Sequence, residues 1–280
     1  MTSNDRNQGP RVQIDRDLSR GHLMLEFMRS KFGDLRRYRT LDLGSGSGGI
    51  SRALARVMNS VVCADINPAR IRACQAKILA FDDGANQRCV IARAEALPFL
   101  DNSFDLIVLN GVLEWVGGQS ASPAIAQKSA LQEAERALRP GGHLYLAIEN
   151  RLFPAFLLLD PHTHYPLVNM MPRRLARWLS GLTQRPVFSN YIYSYWGLRK
   201  LVEGSFPTAE FFMPVPHYHV PESILPLESR KRITAEVKKL LLNPDEPLKY
   251  RLTLLHDLAV ARLSLTRLLT PYFVVVARKS

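Results

Sequence analysis

A chain of 280 residues, 46% hydrophobic and 22% charged, has the makeup of a globular protein and excludes a disordered or collagen-like one. Its longest apolar runs, such as 155–159 (AFLLL), fall far short of the roughly 18–20 residues a membrane helix needs, and its polar start lacks the apolar core of a secretory signal. The net charge of +12 is uneven, with 19 Lys+Arg against 16 Asp+Glu in residues 1–150 and 18 against 9 in residues 151–280, so a substrate held by the second half is expected to be anionic or to sit in anionic surroundings.

In chain order, residues 1–17 read as a flexible tail, and 18–32 (LSRGHLMLEFMRSKF) carry helical apolar spacing. A strand at 39–43 leads into the glycine-rich turn Gly44 to Gly49 and a helix at 50–58. A strand at 60–65 (SVVCAD), a helix from Pro68 to Leu79, and strands at 88–92 and 104–109 follow. A helix at 124–139 stops at Pro140-Gly141-Gly142, before a strand at 143–148. Beyond Asn150 the pattern changes to proline, histidine and aromatic residues, with helices expected near 173–180, 194–203, 229–242 and 248–269. Strands are expected at 209–215 and 272–277. The last helix mixes leucines with Arg251, Arg262 and Arg267; such a helix can lie on an anionic membrane, but more often covers a core. Alternating strands and helices mean βαβ units and a mostly parallel sheet, a Rossmann-like α/β domain with a helical insertion before its last strand. One domain over 18–280 is expected, divided into a ligand-binding core (35–150), substrate-facing insertions (151–270) and a terminal strand (271–280). Cys63, Cys74 and Cys89 form no paired disulfide framework, so a reducing cytoplasm is the expected setting.

Residues 41–49 read LDLGSGSGG. A glycine-rich turn between strand and helix lets backbone N–H groups approach a ligand closely. Gly44, Gly46 and Gly49 satisfy the loose dinucleotide pattern, and Asp65 ends the next strand where an acid binds ribose hydroxyls. Asp42, two positions before the first glycine, discriminates between ligands. Its charge disfavours a pyrophosphate and favours a donor carrying an ammonium and a sulfonium. Asp42 also has a purely structural reading, as a fastener of the loop backbone.

On these residues the chain resembles the class I S-adenosylmethionine-dependent methyltransferases. Four ordered segments carry the likeness: LDLGSGSGG, VVCADINPARI (61–71), AEALPFLDNSFDLIVLNGVLEWV (94–116) and ALRPGGHLYLAI (137–148). The resemblance implies a seven-stranded sheet with only its last strand antiparallel, and S-adenosyl-L-methionine as cofactor. It implies that Asp42, Gly44, Ser45, Gly46 and Gly48 surround the methionine part of the cofactor, and that Asp65 takes the ribose. Ile66 would pack on the adenine, Ala94 and Glu95 approach its edge, and Asn110 and Val112 lie below the sulfonium. Arg93 stands where the family often has an acid for the adenine amino group, a departure that puts this contact in doubt unless Glu95 replaces it.

The acceptor is less constrained, because the sulfonium is already activated and much of catalysis is positioning and exclusion of water. The fourth strand ends in Leu109-Asn110-Gly111-Val112, without the Asn/Asp-Pro-Pro-Tyr/Phe motif of many amino-group methylating enzymes. No Pro-Cys nucleophile is present either, so nucleic-acid bases are disfavoured despite the charge. Residues 149–172, 191–202 (YIYSYWGLRKLV) and 213–229 (MPVPHYHVPESILPLES) resemble a bacterial methyltransferase subgroup associated with polysaccharide and cell-envelope glycan biosynthesis. That resemblance implies a hydroxyl on a small molecule or glycan precursor. An oxygen nucleophile needs a base; His162 is the first candidate and His164 the second, oriented by Asp160. Glu149, Arg151, Tyr193 and Tyr195, with Tyr191, are candidates for contacting the acceptor, although an ion pair or core packing explains them as well. No metal is expected, although D-x-H-x-H at 160–164 and the pair His217 and His219 would have to meet to form one. Methylation of RNA, a nonenzymatic S-adenosylmethionine-binding scaffold, and a nicotinamide dehydrogenase are the alternatives.

Overall fold

The computed structural model describes residues 10–80, 84–118, 122–155, 190–218, 221–243 and 248–280, together with Met171, Leu175 and Trp178. The first half alternates α1 (Pro10–Phe32), β1 (Arg39–Leu43), α2 (Gly49–Ala55), β2 (Ser60–Asp65), α3 (Pro68–Ala80), β3 (Gln87–Ile91), β4 (Phe104–Asn110), α4 (Pro123–Ala137) and β5 (Leu138–Glu149). The second half contributes α5 (Tyr195–Glu203), β6 (Thr208–Val215), β7 (Ser223–Pro226), α6 (Arg230–Leu241), α7 (Leu248–Arg262), α8 (Thr266–Leu269) and β8 (Tyr272–Arg278). The strands form one sheet in the order β3-β2-β1-β4-β5-β8-β6-β7. Strands β1 to β5 run parallel, and β8 lies antiparallel between β5 and β6.

Strand β4 shows why the sheet carries helices on both faces. Its central residues, Leu106 to Leu109, are apolar without interruption, as a strand covered on two sides requires. Leu106 and Val108 join Met24, Met28, Leu54 and Tyr145 in the core under α1 and α2. Ile107 and Leu109 join Leu131, Leu198, Val237 and Phe273 in the core under α4, α5 and α6. The loops at the carboxyl ends of β1, β2 and β4 meet where strand order reverses, the position at which open α/β sheets bind ligands.

The expected reversal of the last strand is present at β8, but the sheet has eight strands rather than seven. After β6 the chain turns back, with the Glu222 N–H donating to the Val215 carbonyl at 2.7 Å, and adds β7 antiparallel on the edge. Pro226 hid this strand from a reading by propensity; at an edge its missing N–H costs no ladder bond. Helix α1 begins at Pro10, so residues 10–17 are helical rather than part of the tail expected over 1–17. The turn Pro140–Gly142 proves to be an irregularity inside β5, where the pairing with β4 shifts between Phe104 and Leu106. The helix expected over 248–269 divides at Ser264, whose φ of 59° leaves the helical region. Apart from Leu175 and Trp178, the helix expected at 173–180 lies outside the described residues. Among the described residues, no helix is long and apolar enough to cross a membrane.

Candidate functional site

The glycine loop leaves β1 with Gly44, Gly46 and Gly48 at φ values of 79°, 57° and 84°, a region that costs other residues strain. At Gly44 the space is also taken: a Cβ there would stand 2.3 Å from Val112 Cγ2. Glycine thus lets the end of β1 close onto the end of β4. At Gly46 nothing lies within 4 Å of such a Cβ, so that glycine faces the open side of the loop. The Gly44→Ala variant combines left-handed strain with a clash against a branched side chain. It is expected to lose about 3 kcal/mol of stability, read as a shifted urea midpoint.

Asp42 is buried, and the Ser51 hydroxyl donates to its Oδ2 at 2.5 Å; the carboxylate therefore also fastens the loop to α2. Asp65, buried at the end of β2, accepts from the Gly46 N–H at 3.0 Å and the Asn67 N–H at 2.8 Å, with the Arg70 guanidinium 3.7 Å away. It thus joins the glycine loop to the tip of β2. The exposed Ile66 follows it, 57% open to solvent. Ala94 is buried nearby in sequence after β3, while the Glu95 carboxylate pairs with Arg93 at 3.2 Å. Two buried polar atoms, Ser45 Oγ in the loop and Asn110 Nδ2 at the end of β4, have no hydrogen-bond partner among the described residues. Buried polar groups without partners are costly and call for a ligand or water. Together with the open face of Gly46, they fit the polar methionine end of S-adenosylmethionine. Asp65→Ala is expected to weaken binding of the demethylated cofactor by about 1–3 kcal/mol, the range for losing charged hydrogen bonds, as measured by calorimetry.

Across β4 from this loop lies a second polar cluster. Gly111 directly follows β4 and lies beside the Tyr218 ring; a Cβ on Gly111 would be 3.4 Å from that ring and 3.7 Å from Glu114 Oε1. Tyr218 stacks on His217 with centroids 5.3 Å apart, and His217 Nε2 lies 2.6 Å from the Tyr272 hydroxyl. Burial above all, then the charges of Glu149 and Asp257, hold the Tyr272 phenol well above its usual range, so it stays protonated. Glu149 stands opposite Tyr272 in the β5–β8 ladder. Glu114 is fully buried; burial first, then the Glu149 charge, pushes its carboxyl up to about 8. Its Oε2 has no hydrogen-bond partner among the described residues. Phe153 links this cluster to His256, 5.3 Å between centroids, whose Nδ1 lies 3.2 Å from the buried Asp257. Burial raises Asp257 to about 6.

The sequence candidates for the acceptor side divide. His162, His164 and Asp160 lie outside the described residues, as does His219. Glu149 belongs to the cluster. Arg151 is engaged elsewhere, donating from Nη2 to the Met171 carbonyl at 2.9 Å. Tyr193 donates to Gln127 Oε1 at 2.7 Å, and Gln127 in turn donates to the Leu113 and Tyr191 carbonyls. These bonds pin the Tyr191–Tyr193 segment to α4. Tyr195 is buried in the core, 5.0 Å from Phe211 and 6.1 Å from Phe273, with the Arg267 guanidinium over its ring, in keeping with core packing rather than acceptor contact. Glu114, the His217–Tyr272 pair and the His256–Asp257 pair were missed as a group. Only the imidazoles carry a sequence signal; convergence of the rest depends on the antiparallel return of β8.

Residues 41–146 match the family model described as a methyltransferase domain. Over 107 residues the chain is 36% identical to the ubiquinone/menaquinone biosynthesis C-methyltransferase UbiE of Hahella chejuensis, covering 37% of this chain and 40% of that protein. Over 139 residues it is 35% identical to the protein of the same name from Legionella pneumophila, covering 48% and 50%. The chain thus spans half or less of the length of these relatives. In three dimensions it is similar to a putative sarcosine dimethylglycine methyltransferase from Galdieria sulphuraria, with a TM-score of 0.53, 18% identity and coverage of 94% and 85%. It is also similar to a possible histamine N-methyltransferase from Thermotoga maritima, with a TM-score of 0.51, 15% identity and coverage of 94% and 89%. The fold is the Rossmann-like fold of class I S-adenosylmethionine-dependent methyltransferases. Residues 41–146 carry the match to a methyltransferase domain, and S-adenosylmethionine is the cofactor that such a domain implies.

Proposed function

We propose that this chain transfers a methyl group from S-adenosylmethionine to a hydroxyl of a small molecule or glycan precursor, bound over the carboxyl ends of β4 and β5. The observation that carries the reading is the pair of polar clusters meeting at Gly111. On one side are Asp65, Ser45 and Asn110; on the other are Glu114, Glu149, Tyr272 and His217. When bound, the cofactor supplies an electrophilic methyl group on a sulfonium. The chain's own part is to hold the acceptor in line, exclude water and take a proton. His217 is the described residue suited to that last task, since imidazole titrates near neutral pH and the Tyr272 hydroxyl steadies its ring. His162 and His164 remain candidates for the same role. The +9 of residues 151–280 favours an anionic acceptor.

A carbon acceptor is the second reading, favoured by the C-methyltransferase name of the relatives that share the first half of the fold. An acidified carbon also needs a proton acceptor, so the same cluster serves it. The test is transfer of labelled methyl from S-adenosylmethionine into extracts fractionated as small molecules, glycans and RNA. Acid- and base-stable label in the small-molecule or glycan fraction is the expected result for a methyl ether formed on a hydroxyl, with mass spectrometry separating ethers from C-methyl products, whereas base-labile label would mark a methyl ester and so a carboxylate acceptor. Label in RNA alone would overturn the acceptor class. Tight binding of cofactor without transfer to any fraction would favour the nonenzymatic scaffold.

A further inference from the structure

Cys63, Cys74 and Cys89 are far apart for a sequence motif, yet their sulfur atoms all lie within 4.8 Å of one another. The βαβ topology brings this about. Cys63 on β2 and Cys89 on β3 are register partners in adjacent parallel strands, and α3, the crossover between those strands, lays Cys74 against them. Cys63 and Cys74 are buried, while Cys89 is half-buried on the edge strand and offers a way in. The cluster is separate from the acceptor side but touches the cofactor loop: a Cβ on Gly48 would stand 2.5 Å from Cys74 Sγ.

Three thiols this close share their protons unequally. Hydrogen bonds from Cys63 and Cys74 draw the Cys89 thiol down to about 6, whereas the same bonds and burial push Cys63 well up. All three donors are soft sulfur, and among the described residues no carboxylate or imidazole completes the set. Soft thiolates select Cu(I), zinc or iron–sulfur clusters. Structural zinc is almost always four-coordinate, which three sulfurs alone do not provide. In a planar three-sulfur site with metal–sulfur bonds of about 2.3 Å, the sulfurs lie about 4 Å apart, within the spacing seen.

We propose that Cys63, Cys74 and Cys89 form a trigonal thiolate site for a soft monovalent cation, Cu(I), directly beneath the cofactor loop. Binding forms three copper–sulfur bonds, and each thiol that coordinates gives up its proton to solvent; the oxidation state of the metal and of the sulfurs is unchanged. The test is an anaerobic titration of the full chain against Cu(I) held by a chromogenic chelator, whose colour reports transfer of the metal. One equivalent taken up by the wild-type protein is expected, with at least a hundredfold weaker uptake by Cys89→Ser, a substitution on the half-buried edge strand. X-ray absorption of the loaded wild-type protein is expected to show three sulfur neighbours, which requires no variant to fold. Retention of all copper by the chelator, equal uptake by Cys89→Ser, or fewer than three sulfur neighbours would each overturn the site. So would preference for Zn(II) in a competition titration.

Discussion

Glu114→Gln is expected to abolish most of the loss of stability that the wild-type protein undergoes as pH rises from about 4.5 to 8. Glu114 follows β4 in a short 3-10 turn, fully buried, with one carboxyl oxygen lacking a partner among the described residues. Its folded-state pKa of about 8 stands above the ordinary value of 4.5. Between those values the folded chain keeps a proton that the unfolded chain has released. Stability from this group is therefore complete below 4.5 and disappears as pH rises through 8. At about 1.4 kcal/mol per pH unit, the window of about 3.5 units corresponds to roughly 5 kcal/mol. Glutamine keeps the shape and never ionises, so the variant's urea midpoint is expected to vary much less over this range. Asp257, raised to about 6, acts in the same direction and leaves both proteins a smaller slope below pH 6. Parallel slopes for the two proteins from pH 5 to 8 would show that Glu114 is already ionised at neutral pH.

The second large effect is on turnover. His217→Gln is expected to lower the single-turnover rate by roughly 10²–10⁴, the usual contribution of a positioned general base, while calorimetric affinity for the demethylated cofactor stays unchanged. The reason is location: His217 is held by Tyr272 at 2.6 Å and by stacking on Tyr218 beside Gly111, on the far side of β4 from Asp65. Tyr272→Phe removes only the hydroxyl that steadies the ring, so a smaller loss is expected. Parallel measurement of His162→Ala divides the candidates. Full turnover in His217→Gln with collapse in His162→Ala would transfer the role to His162. Weakened cofactor binding in His217→Gln would instead mean that the imidazole supports the fold of the site.

Local rules carried the first half of the chain a long way. Short apolar strand cores, the glycine turn after Leu43, the acid ending β2 and Pro68 opening α3 each report a short-range requirement of backbone or burial. Boundaries there shift by a few residues at most, except where β5 takes in the Pro140–Gly142 irregularity. The second half was legible as helices and strands but not as a site. Tyr195 and Tyr193 have the same composition and near-identical spacing, yet one is packed between Phe211 and Phe273 and the other is tethered to Gln127.

The sequence by itself determined the parallel order of secondary structure, the left-handed glycine loop and the position of the acid that ends β2, because each depends on residues within a few places of one another. Only the tertiary structure decided the rest. The return of β8 brings Tyr272 opposite Glu149, the chain beyond β6 carries His217 to that tyrosine, and the crossover α3 gathers three dispersed cysteines. Such meetings arise from sheet register and helix docking, and long-range register leaves no mark on the spacing of residues along the chain.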